Sequence, residues 1–201
     1  MSYTAAIVLT AGEASRFGSP KQVLVWKRKT LVERTMQNAI DAGCKKIVVV
    51  TGAHEKVVTN ALKNFTGSKV VSLAQNPHWE EGMHTSIACG MKTLLEASPT
   101  LDAVLVLTID QPRIDAQFLR KLIAAQQGFD AAALGYPSGA GVPACFGESL
   151  FQRLLNLQTS GGGAKGILRD PLVKTNVLID PERQLDIDTF TDWNDFKQAD
   201  H

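Results

Sequence analysis

The stretch AAIVLTAGEASRFGSPK, residues 5–21, decides the fold, because an apolar strand runs directly into a small loop that carries glycine and two cations. Gly12 and Gly18 allow backbone conformations that a Cβ disfavours, so successive peptide N–H groups can converge on anionic oxygens. Arg16 adds a planar guanidinium and Lys21 a compact ammonium. The stretch therefore predicts either a polyphosphate-binding loop or an ordinary strand-to-helix turn with surface cations.

Length and charge limit the other possibilities. A chain of 201 residues suits one domain, residues 1–201, with a single core. Its 21 basic and 20 acidic residues are balanced, so we expect no binding to nucleic acid or to an anionic membrane, and any phosphate site must be local. The first apolar run is far shorter than the roughly 20 residues of a membrane span, and we expect a cytoplasmic protein. The three cysteines have neither disulfide nor zinc spacing.

Apolar runs alternate with segments of helical period along the whole chain, which is typical of an α/β fold. We predict strands at 5–9, 46–50, 69–73, 103–107, 131–134, 143–146 and 175–178. We predict helices at 31–42, 55–63, 85–95, 116–126, 149–157 and 192–199. Most of the strands are continuous apolar runs, as expected when helices cover both faces of a parallel sheet. Ligands of such sheets bind beyond the carboxyl ends of the strands, so the loops after strands are the candidate sites.

Acidic residues mark two of these regions. Asp110 follows a buried strand in LTIDQP, residues 107–112, where a carboxylate can hold a hard cation or simply form a turn. Asp186 and Asp188 alternate around Ile187 and so point to one side of an extended segment. Aspartates from these two distant segments can share one Mg²⁺, because this ion takes few carboxylates and leaves its other positions to phosphate and water. Thr191 is a candidate cap of the last helix.

The loop NPHWEEGMHTS, residues 76–86, offers a backbone approach at Gly82 and a hydroxyl at Ser86 near a helix start. Such a pair can contact the edge of a base, or the segment can be a plain connection. His78 and His84 lack a third partner at metal-ligand spacing, and Trp79 is more typical of a packing anchor.

Two glycine-rich segments follow later in the chain, GYPSGAGVPACF at 135–146 and TSGGGAKG at 159–166. The first can form a wall over a second substrate. In the second, residues 161–163 can be a flexible link, and Lys165 either contacts phosphate or is solvated.

Five ordered motifs resemble those of the nucleotidyltransferases of molybdenum cofactor biosynthesis, most of all the cytidylyltransferases. LTAGEASRFGSPK is similar to the opening LAAGxSxRxGxxK of that family, NPHWEEGMHTS to Nxx(W/Y)xxGMxxS, and LTIDQP to LxxDQP. GVPACF is similar to GxPxxF, and DIDTFTDW to the closing DIDTxxDW/L. The resemblance covers nearly the whole chain and implies a Rossmann-like three-layer nucleotidyltransferase domain with a mostly parallel sheet.

The resemblance also implies roles for single residues. The residues that would frame the nucleotide are Leu9, Thr10, Ala11 and Gly12. Arg16 and Lys21 would neutralise the triphosphate, and with Asp110 they are the candidate catalytic residues. Asp110 and Asp188 would hold Mg²⁺. Gly82 and Ser86 would contact the base. The implied reaction transfers CMP from CTP to the terminal phosphate of molybdopterin, with release of pyrophosphate, and a molybdoenzyme would receive the product.

The chain departs from the family pattern at several positions. Guanylyltransferase relatives resemble LAGG at the opening, whereas the Cβ of Ala11 would obstruct a purine, which favours CTP over GTP. Thr10 and Phe17 replace the usual Ala and Met. Where relatives often have GDxGAR, this chain has residues 160–165, SGGGAK, which lack the acidic residue and carry Lys165 for Arg.

These departures leave the acceptor open. It can be another phosphorylated compound, such as a sugar phosphate or methylerythritol phosphate, since PKQVL at 20–24 also resembles the family that acts on the latter. The protein can also be a chaperone that delivers the cofactor to a molybdoenzyme with little turnover of its own.

Overall fold

The computed structural model describes residues 3–13, 17–65, 68–97, 100–158 and 163–199. Its strands are β1 (Thr4–Leu9), β2 (Val25–Trp26), β3 (Lys29–Thr30), β4 (Lys46–Thr51), β5 (Val71–Gln75), β6 (Ala103–Thr108), β7 (Ala131–Tyr136), β8 (Gly139–Gly147) and β9 (Thr175–Leu178). Its α-helices are α1 (Leu31–Asp41), α2 (Glu55–Ala61), α3 (Met83–Ala97), α4 (Ala116–Gln126), α5 (Phe151–Leu155), α6 (Gly163–Leu168) and α7 (Phe190–Ala199).

Seven strands form one sheet in the order β5-β4-β1-β6-β8-β7-β9. Strand β1 pairs in parallel with both β4 and β6, and β8 runs antiparallel to its two neighbours. The mostly parallel sheet confirms the predicted fold class. Since the carboxyl ends of β1, β4 and β6 meet at one edge, the loops that follow these three strands lie side by side.

Helices cover both faces of the sheet, which produces three layers. On one face, Met36 of α1, Phe118 of α4 and Trp193 of α7 belong to a core that includes Val8 of β1. On the other face, Met91 of α3 belongs to a second core with the remaining apolar strand residues. Full burial of a side chain of this size stabilises a fold by about 1.5–3 kcal/mol. The continuous apolar strands therefore reflect burial on both faces.

The capping residues of α1 agree with the prediction, and those of α7 differ from it. At α1, Thr30 and Glu33 form a reciprocal capping box, as their spacing predicts. At α7, the predicted cap Thr191 is wrong, because the helix already begins at Phe190. Instead the hydroxyl of Thr189 accepts the N–H of Asp192, and the Asp192 carboxylate accepts the N–H of Thr189.

Several elements differ from the predicted ones. The hairpin of β2 and β3 was not predicted, because its turn residues Lys27 and Arg28 have positive φ without the usual glycine or asparagine. Strand β5 starts two residues later than predicted, and α5 is shorter because residues 148–150 form a 3₁₀ turn. The glycine-rich segment 135–146 contributes the β7–β8 hairpin.

Part of the second glycine-rich segment is helical. Helix α6 begins at Gly163, and its buried residues Ala164, Ile167 and Leu168 have the spacing of one apolar helix face. A flexible link is therefore wrong for Gly163, and residues 161 and 162 lie outside the described residues. In the part of the chain that is described, no helix has the length and apolar character that crossing a membrane requires. A single domain over residues 1–201 stays a prediction.

Candidate active site

The loop after β1 lies against the loop after β4. Thr10 donates to the carbonyl of Val50 from both its N–H, over 3.0 Å, and its hydroxyl, over 2.7 Å. The carbonyl of Ala11 accepts the N–H of Ala53 at 3.1 Å. Beside this loop is a cleft of about 220 Å³, here called the first cleft. Its lining residues are Leu9, Thr10, Ala11, Gly12, Lys21, Gln22, Trp79, Met83, Ser86, Thr108, Ile109 and Asp110.

The side chain of Gln22 holds the loop after β1 in place, a role that the sequence did not reveal. Its side-chain amide donates to the carbonyl of Thr10 at 2.8 Å and to the carbonyl of Gly12 at 3.0 Å. Gln22 is 2% exposed. Because both bonds orient carbonyl groups toward Gln22, they limit the conformations of the loop and pre-organise it for a ligand.

Lys21 lies between two of the predicted metal ligands. Its ammonium is 3.2 Å from Oδ1 of Asp188 and 3.9 Å from Oδ2 of Asp110, and it donates to the carbonyl of Ile187 at 2.8 Å. A backbone bond of 2.8 Å from the N–H of Ile187 to the carbonyl of Asp110 joins the closing segment to the loop after β6. The structure thus brings together one cation and two carboxylates from three distant segments.

The two carboxylates beside Lys21 suit Mg²⁺. The ion is usually bound at nucleotide sites by one or two carboxylates, with phosphate oxygens and water completing its coordination. Asp110 and Asp188 supply such a pair. Among the described residues, no group of three or more His, Cys, Asp and Glu side chains is arranged to hold a metal ion. The donor set therefore fits an ion that is shared with the phosphates of a nucleotide.

The two residues predicted to contact the base lie in different places. Ser86 lines the first cleft in the first turn of α3, where its hydroxyl accepts a bond of 2.9 Å from the buried side-chain amide of Asn76. Asn76 also donates to the hydroxyl of Thr85 and so holds the start of the helix. Gly82, with φ of 118°, lines an adjoining cleft instead.

This adjoining cleft, of about 520 Å³, is called the second cleft. Its lining residues are Glu81, Gly82, Met83, His84, Thr108, Asp110, Gln111, Tyr136, Ser138, Val142, Gly163, Ala164, Lys165 and Asp186. Three of these residues, Met83, Thr108 and Asp110, also line the first cleft. The glycine-rich hairpin thus does line a second cavity.

Gln111 organises the floor of the second cleft. Its side-chain amide lies 2.5 Å from the hydroxyl of Tyr136 and donates to Oδ1 of Asp186 at 2.9 Å. Burial raises the pKa of Tyr136, and the negative charge of Asp186 adds to this effect, so its hydroxyl stays protonated and donates to the carbonyl of Val142. Burial also raises the pKa of Asp186, and the charges of Asp110 and Asp188 act in the same direction.

Gly52 is a further residue that the sequence did not mark. A Cβ at this position would lie 2.7 Å from the carbonyl oxygen of Ala11 and 2.7 Å from Cβ and Cγ of Trp79. The absence of a side chain therefore lets Trp79 pack over the loop after β4 and form a wall of the first cleft. Trp79 combines the predicted packing role with a position at the site.

We predict that Gly52→Ala raises the dissociation constant of CTP about tenfold, because the added methyl group must displace either Trp79 or the loop that carries Ala11. Overpacking of this kind also costs about 1–3 kcal/mol of stability. Titration calorimetry with CTP below the melting temperature tests the prediction.

Gly147→Ala is the matched control. Its Cβ would meet Nε2 of Gln126 at 2.6 Å, at the end of β8 that pairs with the start of β6, opposite the clefts. It should keep the CTP affinity of the unmodified protein, and its melting temperature measures how well the end of the Gln126 side chain makes room for the methyl group. Equal CTP affinity in Gly52→Ala and the unmodified protein would contradict the assigned wall.

The other cations and histidines considered in the sequence do not all lie at the clefts. Arg16 lies outside the described residues. Lys165 of α6 lines the second cleft. His78 pairs with Glu81 at 2.9 Å on the surface, and His84 lines the second cleft. The described part of the predicted phosphate and metal site is therefore Lys21, Asp110 and Asp188.

The fold and these clefts define a class of protein. At its carboxyl edge, a mostly parallel sheet carries a glycine-containing loop beside the first cleft, and a lysine close to two aspartates. These are the features of a nucleotidyltransferase. Residues 6–176 match the family model of the MobA-like NTP transferase domain, and the chain belongs to that family. The predicted resemblance is confirmed.

Curated relatives of this chain have different names. It is 29% identical over 133 residues to nicotine blue oxidoreductase of Paenarthrobacter nicotinovorans, which covers 66% of this chain and 61% of that protein. It is 29% identical over 87 residues to molybdenum cofactor cytidylyltransferase of Escherichia coli, covering 43% of each. The chain thus spans less than two thirds of the length of these relatives.

Solved structures support the fold. A nucleotidyl transferase from Methanothermobacter thermautotroptrophicus superposes with a TM-score of 0.83 at 21% identity, covering 99% of this chain and 98% of that one. Rv0371c from Mycobacterium tuberculosis, in a complex with manganese, superposes with a TM-score of 0.72 at 22% identity, covering 98% and 100%. At this identity the likeness shows the three-layer fold alone.

Proposed function

We propose that this protein is an enzyme that transfers CMP from CTP to the terminal phosphate of molybdopterin and releases pyrophosphate. One observation carries the proposal. The first and second clefts adjoin, and Asp110 lines both, beside the ammonium of Lys21. A nucleotide in the first cleft and an acceptor in the second would meet at these charges.

The proposed step is an in-line displacement at phosphorus. An oxygen of the acceptor phosphate forms a bond to the α-phosphorus of CTP, and the bond from this phosphorus to the bridging oxygen of the β-phosphate breaks. Both electrons of the broken bond leave with pyrophosphate. The acceptor phosphate is already ionised at neutral pH, so the protein needs no general base. Positioning and charge neutralisation supply most of the catalysis in such a step.

Each residue then has a role. The loop that contains Thr10 and Ala11 would frame the nucleotide, and Lys21 would neutralise the triphosphate, with Arg16 as a second cation. Asp110 and Asp188 would hold Mg²⁺, which when bound neutralises further charge on the phosphates. Ser86, held by Asn76, would contact the base, while the position of Gly82 favours a contact nearer the acceptor.

The choice of CTP is supported by the residue at position 11. Ala11 lines the first cleft, where its methyl group leaves less room for a purine than the glycine of the guanylyltransferase opening would. The cytidylyltransferase relative supports the same choice. The molybdopterin acceptor is supported by that relative as well. We further propose that the protein acts in the cytoplasm and that its pterin dinucleotide product passes to a molybdoenzyme.

Product analysis tests the proposal. The protein is incubated with Mg²⁺, molybdopterin and either CTP or GTP, and pyrophosphate release is measured together with the mass of the pterin product. We expect the cytosine dinucleotide of molybdopterin, and a rate with CTP at least tenfold above that with GTP, because discrimination by pocket shape is worth about 1–3 kcal/mol.

Two controls distinguish the alternatives. Glucose 1-phosphate and methylerythritol phosphate replace molybdopterin in parallel reactions. Release of pyrophosphate with one of these and none with molybdopterin would refute the proposed acceptor. Tight binding of molybdopterin with no release under any condition would instead indicate a cofactor-delivery protein.

A further inference from the structure

Asp186 lies on the floor of the second cleft, where the rest of the structure orients its carboxylate. Oδ1 accepts the bond of 2.9 Å from the side chain of Gln111, a residue that is 7% exposed. The Gln111 amide is held in turn by the hydroxyl of Tyr136 and the carbonyl of Val142. A buried amide with these neighbours cannot rotate freely, so it fixes the position of Oδ1 of Asp186.

The second oxygen of Asp186 is available to a ligand. Among the described residues, no hydrogen bond reaches Oδ2, and the side chain is open to the cleft. A fixed carboxylate with one bond from the protein therefore presents unused acceptor positions in one plane. A ligand that fills these positions must bring hydrogen-bond donors, and two adjacent donors in one plane satisfy them best.

The walls of the cleft restrict the shape of that ligand. Met83, Val142 and Ala164 are apolar, and the ring of Tyr136 adds a flat surface. Lys165 also lines this cleft and adds one positive charge to it. A sugar ring carries hydroxyl groups on all sides and would leave several of them against apolar walls without partners. A flat heterocycle buries its faces there and directs its polar edge to Asp186.

We propose that Asp186 binds the N–H edge of a planar nitrogen heterocycle in the acceptor, with the ring amide and exocyclic amine of a 2-amino-4-oxopyrimidine as donors. Asp186 thereby determines the specificity of the second cleft, and Gln111 and Tyr136 are positioning residues. This inference rests on the proposed function, since it assigns the acceptor to the second cleft.

The test compares two ligands that differ at this edge. Pterin carries the exocyclic amine, and lumazine has a carbonyl oxygen in its place. Dissociation constants of both are measured by fluorescence quenching for the full chain and for Asp186→Asn, which keeps the size of the side chain. We expect the unmodified protein to prefer pterin at least tenfold, and Asp186→Asn to bind pterin at least tenfold more weakly with little preference left.

Control measurements distinguish pterin recognition by Asp186 from a role in folding, in CTP binding or in metal binding. Asp195→Asn, on the exposed face of α7, should keep the pterin preference. The affinity of Asp186→Asn for CTP and for Mn²⁺ in the presence of CTP should stay within about threefold of the unmodified protein. A melting temperature near that of the unmodified protein shows that the variant folds. In the transfer assay, the KM for molybdopterin should rise at least tenfold while the kcat falls much less.

Other results overturn the inference. Equal binding of pterin and lumazine by a protein that transfers CMP to molybdopterin would remove the role of Asp186 and leave the proposed function intact. Loss of Mn²⁺ binding in Asp186→Asn would make the residue part of a metal site. An unmodified protein that transfers CMP to a sugar phosphate alone would refute the proposed function and this inference with it.

Discussion

Asp110→Asn is expected to lower the rate of pyrophosphate release by a factor on the order of 10³, a loss comparable to removal of one pre-organised electrostatic group from an active site. The substitution keeps the shape of the side chain and removes its charge. Asp110 lines both clefts and lies 3.9 Å from Lys21, so its charge acts where the donor phosphates and the acceptor would meet. A continuous pyrophosphate assay with saturating CTP and Mg²⁺ measures the effect.

The control for this variant is Asp195→Asn, which makes the same chemical change on the exposed surface of α7 and should leave the rate within twofold. Circular dichroism verifies that both variants fold. Undiminished release by Asp110→Asn would show that Asp110 is not part of the catalytic machinery, and the metal assignment would then be wrong.

Lys21→Met is expected to change two affinities in opposite directions. The KM for CTP should rise about 10–100-fold, because a hydrogen bond to a charged group is worth about 1.5–3 kcal/mol. The affinity of the nucleotide-free protein for Mn²⁺ should instead increase about tenfold. The ammonium of Lys21 lies 3.2 Å from Asp188 and so balances the carboxylates that a divalent cation would otherwise neutralise.

Electron paramagnetic resonance of free Mn²⁺ measures the second effect without turnover. Lys29→Met, a change of an exposed lysine in β3, is the control and should alter neither affinity. If Lys21→Met binds Mn²⁺ no more tightly than the unmodified protein, then Lys21 does not compete with the metal. If the KM for CTP is also unchanged, Lys21 does not contact the triphosphate.

The large elements were predictable because their signals are local. An apolar run such as that of β1 indicates a strand with both faces buried, and Thr30 with Glu33 marks the start of α1 by spacing alone. The hairpin of β2 and β3 has no such signal. Its turn residues Lys27 and Arg28 adopt positive φ because the tertiary structure imposes it.

The proximity of Lys21, Asp110 and Asp188 was predictable in part. Each follows a strand or lies in a motif of the predicted family, and ligand sites of parallel sheets gather such segments at the carboxyl edge. The direct contact of Lys21 with both carboxylates was not predictable. Lys21 and Asp188 are separated by 167 positions, and their distance depends on how the closing segment packs.

The supporting residues were missed for a related reason. Gln22, Gly52 and Asn76 act through bonds or close approaches to backbone and side chains of other loops. Nothing in the residue type marks these contacts, because glutamine, asparagine and glycine are common in ordinary loops. Two of these residues had a usable signal, since Gln22 lies within the motif that resembles a second transferase family and Asn76 begins the segment NPHWEEGMHTS.

By itself, the sequence determined the α/β class, the parallel strands and the loops that carry charge, since hydrophobic period and local motifs depend on neighbours along the chain. Only the tertiary structure decided that Ser86 and Gly82 line different clefts, that Asp110 lies where the clefts meet, and that Gln111 orients Asp186. These arrangements depend on the packing of loops from separate strands, and such distances are set by the folded core and not by any one segment.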